Sequence, residues 1–148
     1  MRELFFALDE NNGRPLIELA NGVSVLIDTG AIIPVWCASE ELLKERYKCK
    51  YIKKNVSFKG YDGVINGNIY TIDAFALGEL VYPHLPVIAC EDEDSEFSML
   101  LSATMFDRLI LSLDFKEHKA LVQLPDGESI VRNIVITKNG KKLVLANG

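Results

Sequence analysis

The chain is poor in the residues that cross-link secreted proteins or hold metals. It has three cysteines, Cys37, Cys49 and Cys90, and two histidines, His84 and His118. An odd cysteine count without C-x-x-C spacing argues against a disulfide framework and for free, partly buried thiols in a reducing compartment. Cys/His zinc spacing is missing, so no metal is expected. No segment approaches the ~20 apolar residues of a membrane span. The apolar run in Met1-Arg2-Glu3-Leu4-Phe5-Phe6-Ala7-Leu8-Asp9 is too short for a signal-peptide core. A cytoplasmic protein with no membrane partner is the expectation. Positive charge is not in surplus either. Sixteen Lys and Arg against 21 Asp and Glu leave a net charge of −5, the wrong field for phosphate, and nucleic acid is not expected as a partner. Linkers and low-complexity stretches are also missing.

What is present is a chain of 148 residues, 49% apolar and 25% charged, enough for one domain over 1–148 with its own core. Asn-Gly and Asp-Gly pairs, which tolerate positive φ and so favour tight hairpins, recur at Asn12-Gly13, Asn21-Gly22, Asp62-Gly63, Asn66-Gly67, Asp126-Gly127 and Asn139-Gly140. Most lie between β-type runs: 4–8, 16–20, 23–28, 121–124, 130–137 and 142–145. A mostly antiparallel β fold follows. Two short helices are expected. One covers 39–46, with Ser39 as N-cap and acids in the first turn; the other is one or two turns within 104–109. An apolar run, a tight loop and a short helix occur around 28–46 and again around 99–109, a faint internal echo.

The most informative stretch is Val25-Leu26-Ile27-Asp28-Thr29-Gly30-Ala31, followed by Ile32-Ile33-Pro34-Val35-Trp36. A carboxylate ends an apolar strand and is walled by apolar residues on both sides, where charge is costly to bury. Two readings stand at this point. Asp28 caps a turn by accepting backbone N–H groups, or it is a reactive carboxylate in a partly dehydrated loop.

This chain resembles the bacterial retropepsin-like aspartic proteases, single-domain relatives of the retroviral enzymes. Leu26-Ile27-Asp28-Thr29-Gly30-Ala31 matches the family's catalytic motif. Phe58-Lys59-Gly60-Tyr61-Asp62-Gly63 looks like its flap, with a return strand over 69–75. Leu100-Leu101-Ser102 and 104–109 look like its second loop and helix. The resemblance implies a closed β-barrel domain with a flap hairpin, and an aspartic endopeptidase acting on a protein or peptide substrate without a cofactor. It assigns Asp28 the catalytic carboxylate and Thr29 a hydrogen bond across a dimer. Gly30 and Ala31 support the active-site loop, and Gly60, Tyr61, Asp62 and Gly63 form the substrate-binding flap.

Aspartic proteolysis needs two carboxylates sharing one proton, because anions about 3 Å apart cannot both ionise. No second Asp-Thr-Gly or Asp-Ser-Gly occurs. Asp62-Gly63 and Asp126-Gly127 lack the hydroxyl residue and apolar lead-in, and Asp73 and Asp114 have no Gly beside them. An active enzyme is therefore expected to be a homodimer with Asp28 from each subunit at a two-fold axis. Two departures support an alternative, a non-catalytic peptide-binding or assembly module on the same fold. Ser102 stands where the family has Gly, and its side chain is expected to crowd the catalytic loop. Asp62 stands where many relatives have another Gly.

Elsewhere the sequence reads as structure. Glu91-Asp92-Glu93-Asp94-Ser95-Glu96 is expected to be a solvated loop, and the lysines between 44 and 54 an outer face. Trp36 is expected in the core, and Cys37 and Cys49 to be buried thiols rather than nucleophiles. Strand 4–8 and the hairpin over 134–145 either form the dimer interface or close the fold of one subunit.

Overall fold

In the computed structural model, residues 1–9, 14–60, 63–138 and 141–142 are described. The first strand, β1 (Arg2–Ala7), buries Leu4 and turns Phe5 outward, the period-two pattern of a sheet with one covered face. It is followed by β2 (Leu16–Glu18), β3 (Ser24–Asp28) and β4 (Val35–Trp36). The β2–β3 turn falls on Asn21-Gly22, where Gly22 adopts φ 83° and Leu19 N–H donates to the Val23 carbonyl at 2.8 Å.

Helix α1 (Glu40–Arg46) begins where the sequence indicates. The Ser39 hydroxyl accepts from Leu42 N–H at 3.1 Å, Glu40 and Glu41 occupy the first turn, and Lys44 and Arg46 the last. Beyond it run β5 (Cys49–Gly60), β6 (Gly63–Leu77) and β7 (Leu80–Ala89), then β8 (Met99–Ser102) and a 3-10 turn (Ala103–Phe106) in place of the second expected helix. The chain closes with β9 (Ile110–Asp114), β10 (Lys119–Leu124) and the short pair β11 (Thr137–Lys138) and β12 (Lys141–Lys142). Among the described residues no helix is long and apolar enough to cross a membrane.

A seven-stranded sheet runs β2-β3-β8-β4-β7-β6-β5, and a separate sheet runs β1-β10-β9. Next to the β2 edge, β3 and β8 are parallel, with Val25 opposite Met99 and Asp28 opposite Ser102. Both strands are covered on both faces, so they read as continuous apolar runs rather than as alternation: Val25, Met99 and Leu101 are wholly buried. The echo seen in the sequence thus becomes two neighbouring parallel strands, each leading into a tight loop. Trp36 is in the core as expected, wholly buried, with its indole N–H donating to the Ser39 carbonyl at 2.8 Å. The run 91–96 is largely exposed, as are Lys44, Lys48, Lys50, Lys53 and Lys54.

Three expectations are corrected. The described sheets do not close into a barrel: β2 and β5 remain the edges of the large sheet. The register of β5 slips twice, between Tyr51 and Lys53 and between Lys53 and Val56, and lysines line that strand. Bulges and lysines are the devices that keep an edge from pairing. Secondly, Asn66-Gly67 is no turn. It lies inside β6, with Gly67 opposite Val56, and the return arm starts at Gly63 rather than at residue 69. Glycine is required there by packing, since a Cβ at Gly67 would overlap the Ala89 carbonyl oxygen and stand 2.9 Å from Ile88 Cγ1. Thirdly, the turn at Asp126-Gly127 leads into an extended segment, not a full strand. Its recorded bonds are Val81 N–H to the Ile130 carbonyl and Arg132 N–H to the Val81 carbonyl, both 2.8 Å. Asn12-Gly13 and Asn139-Gly140 lie outside the described residues. Strand β1 pairs along its whole length with β10 of its own chain.

Gly67→Ala should therefore lower the unfolding free energy by about 1–3 kcal/mol, the usual cost of overpacking. A urea midpoint measured against wild type checks this; an unshifted midpoint would mean that the β6–β7 contact gives way freely.

Candidate active site

Asp28 is the last residue of β3 and is half-buried. Its Oδ1 accepts the Gly30 N–H at 3.0 Å, and its own carbonyl accepts the Ala31 N–H at 3.1 Å. The turn-capping role and the reactive-carboxylate role are thus not exclusive. One oxygen is fixed by the loop, and no described residue bonds the other. Gly30 has no positive φ; its value is closeness, since a Cβ there would lie 3.3 Å from Asp28 Oδ1. Thr29 is exposed at the tip of the loop and Ala31 is half-buried beneath it.

Ser102, across the ladder from Asp28, is wholly buried. It does not crowd the loop but helps to hold it. The Thr104 hydroxyl donates to the Ile32 carbonyl at 3.2 Å, which commits its one hydrogen, so the 2.5 Å contact between the hydroxyls of Ser102 and Thr104 has Ser102 as donor. Ala103 N–H also donates to the Ala31 carbonyl at 3.2 Å. The two loops at the ends of the parallel strands are therefore joined by a main-chain bond and a two-hydroxyl relay.

Over this loop lies the β5–β6 hairpin. Between them is a cleft of about 180 Å³ lined by Asp28, Gly30 and Ala31 from the loop and by Gly63 from the hairpin. Ile32, Ile33, Phe58, Val64, Ile65 and Leu100 make its walls apolar, and Lys59 is the other charged residue lining it. Of these lining residues the sequence motifs already included Ile32, Ile33, Phe58, Lys59 and Leu100; Val64 and Ile65 were not singled out. Gly60 pairs with Gly63, whose φ is 121°; Tyr61 and Asp62 lie outside the described residues. Thr29 does not line the cleft. Asp28 is the only carboxylate among the described lining residues.

A larger cavity lies elsewhere, about 640 Å³ between the 3-10 turn and residues 127–135. Its charged groups pair with one another: Arg132 with Glu128 at 3.0 Å and with the Asp107 carbonyl, Arg108 with Asp107 at 3.9 Å. Size alone does not make it the reactive site. Cys37 and Cys49 are poor nucleophiles. Burial first, then the neighbouring Cys90 and Asp92, push the Cys37 thiol up from 9.0 to about 11, and burial also raises Cys49. Among the described residues no group of His, Cys, Asp and Glu could hold a metal ion.

No protein-family model matches the chain, and no curated protein matches it in sequence. Among solved structures it is similar to a retropepsin-like aspartic protease from Rickettsia conorii, with a TM-score of 0.53 and 17% identity, over 83% of this chain and 91% of that one. At that identity the likeness establishes a shared fold.

Thr104→Val should cost about 1–3 kcal/mol, because it strands the buried Ser102 hydroxyl without an acceptor; chemical denaturation reads the loss, and the double variant Thr104→Val/Ser102→Ala should recover part of it. The Cys37 thiol gives a pH dependence. Its raised value means that the fold favours the protonated form, so its contribution is complete below pH 9 and is lost between 9 and about 11. Melting temperature followed from pH 8 to 10.5 should fall more steeply for wild type than for Cys37→Ala.

Proposed function

We propose that this chain is an aspartic endopeptidase that works as a homodimer, hydrolysing peptide bonds with Asp28 from each subunit. The observation that carries the reading is the placement of Asp28: a carboxylate at the end of a buried strand, with one oxygen oriented by Gly30 N–H, inside an apolar cleft roofed by a hairpin. The shared fold with a retropepsin-like protease supports it. A lone carboxylate has no partner with which to divide acid and base roles, and a two-fold axis brings a residue against its own copy.

In the proposed dimer the two carboxylates hold one proton between them. The ionised member takes a proton from water, and the protonated member donates to the scissile carbonyl oxygen as the water attacks. The resulting tetrahedral diol collapses when the amide nitrogen is protonated and the amine leaves. In this reading Thr29 bonds across the axis. Gly60, Tyr61, Asp62 and Gly63 form the flap, and the substrate lies extended beneath it with main-chain pairing. The reaction as written uses no metal or organic cofactor. The cytoplasm, where unpaired thiols such as Cys37, Cys49 and Cys90 persist, is the setting we assign.

The second reading, a non-catalytic peptide-binding or assembly module, is favoured by one fact: among the described residues of one chain, the cleft contains a single carboxylate. Subunits that never pair would leave a binding groove without chemistry.

Cleavage of a peptide library between mildly acidic and neutral pH should fall by about 10²–10⁴-fold or more in Asp28→Asn, and sedimentation at high concentration should show a dimer. Equal turnover by wild type and Asp28→Asn would sink the mechanism. Tight peptide binding without turnover in both proteins would establish the module instead.

A further inference from the structure

The hairpin over Asp28 leaves the sheet at a definite point. Strand β7 pairs with β6 only from Asn68, opposite Ala89, onward. The arms 56–60 and 63–67 pair solely with each other. At the departure point β5 is irregular: its register slips on either side of Lys53, and Asn55 is left-handed, with φ 53°. Such a site is strained and keeps its shape only if something determines it.

A polar cluster does so. Asn55 N–H donates to Asn68 Oδ1 at 3.2 Å. The Asn68 amide nitrogen donates to both carboxylate oxygens of Glu40, at 3.1 and 3.3 Å. The Tyr70 hydroxyl donates to Glu40 Oε1 at 2.5 Å. The amide orientation is fixed by its neighbours, since Glu40 only accepts and the Asn55 N–H only donates. Tyr70 is buried, and burial and then Glu40 hold its phenol well above the usual range, so it stays a donor. Glu40 opens α1, which Ser39 caps and which follows β4 directly out of the loop after Asp28. Gly67, beside Asn68, lies tight against Ala89. Main chain and side chains thus connect the Asp28 loop to the hairpin's base.

We propose that Glu40 and Asn68 are positioning residues that set the reach of the β5–β6 hairpin over the Asp28 cleft by fixing the bulge at Asn55. The proposal rests on the protease reading for its effect on substrate and on geometry alone for its effect on the hairpin. Losing the cluster frees the ribbon at its base, so the closed position becomes one among several. Substrate binding then bears the cost of closing it.

Hydrogen–deuterium exchange and peptide-cleavage kinetics on Glu40→Ala, Asn68→Ala and Glu40→Gln, with Glu41→Ala as an exposed control on the same helix, test this. In both alanine variants of the cluster, exchange in 56–60 and 63–67 should rise about tenfold, the scale of one or two net hydrogen bonds, while β3 and β8 stay within about twofold. KM should rise about tenfold with kcat within about threefold. Glu40→Gln keeps an acceptor for Tyr70 and Asn68 and should restore both readouts; Glu41→Ala should change neither. Unchanged hairpin exchange in both alanine variants, or exchange raised equally throughout the chain, overturns the proposal. If wild type cleaves no peptide, the protease reading fails, and the exchange measurements alone decide the role of the cluster.

Discussion

The parallel pairing of β3 with β8 is the constraint on which the rest depends. It places two apolar runs inside the large sheet, covered on both faces, and it ends in register at Asp28 and Ser102. Burial of Val25, Met99 and Leu101 gives the pair its stability, since apolar area removed from water is the dominant favourable term. The polar chemistry begins only where the strands stop. There each orphaned group finds a local partner: Asp28 takes Gly30 N–H, and the Ser102 hydroxyl reaches Thr104, which reaches the Ile32 carbonyl. The carboxylate is therefore oriented by a loop that is itself tied to the second strand.

Much of this was legible in the residues because it rests on local signals. The run from Val23 to Ile27 names the buried strand, Ser39 with Glu40 and Glu41 names the helix start, and Asn21-Gly22 names a turn through backbone sterics. What could not be read depends on contacts between distant segments. Asn66-Gly67 carries the same dipeptide signal as Asn21-Gly22, but Gly67 is there because the Ala89 carbonyl leaves no room for a Cβ. The barrel was expected from the family resemblance; whether edge strands meet depends on sheet curvature and on the double slip in β5, neither of which periodicity encodes. Ser102 is the instructive case. Judged by the family's glycine it should have crowded the loop, yet the hydroxyl is buried and bonded. A substitution that removes a glycine can add a tether when an acceptor lies two residues away.

The cleft and the hairpin pose different physical problems. The cleft must keep a carboxylate usable among apolar walls, which the Gly30 N–H does by fixing one oxygen while leaving the other unbonded by any described residue. The hairpin must stay in reach without joining the sheet. Its inner face packs Val56 and Phe58 into the smaller of the two apolar clusters with Ile33, Val35 and Ile88, and that packing has no directional preference. Direction comes from the base, where Asn55, Asn68 and Glu40 bond in a chain. Hydrophobic contact holds the ribbon down, and hydrogen bonds decide where it points.

These two devices bear on the proposed dimer. Fixing Asp28 Oδ1 within its own loop means that the cost of orienting the carboxylate is met on folding, not on association. In the proposed dimer a second copy would then bring an already oriented group to the axis. The same economy does not extend to the proton. Two like charges at hydrogen-bond distance can coexist only by sharing one, so in the proposed dimer the reactive state belongs to the pair and to neither subunit. What one chain contains is an aligned carboxylate, an apolar cleft and a roof held at its hinge; in the proposed dimer, general acid–base division of labour comes from duplicating that cleft across an axis.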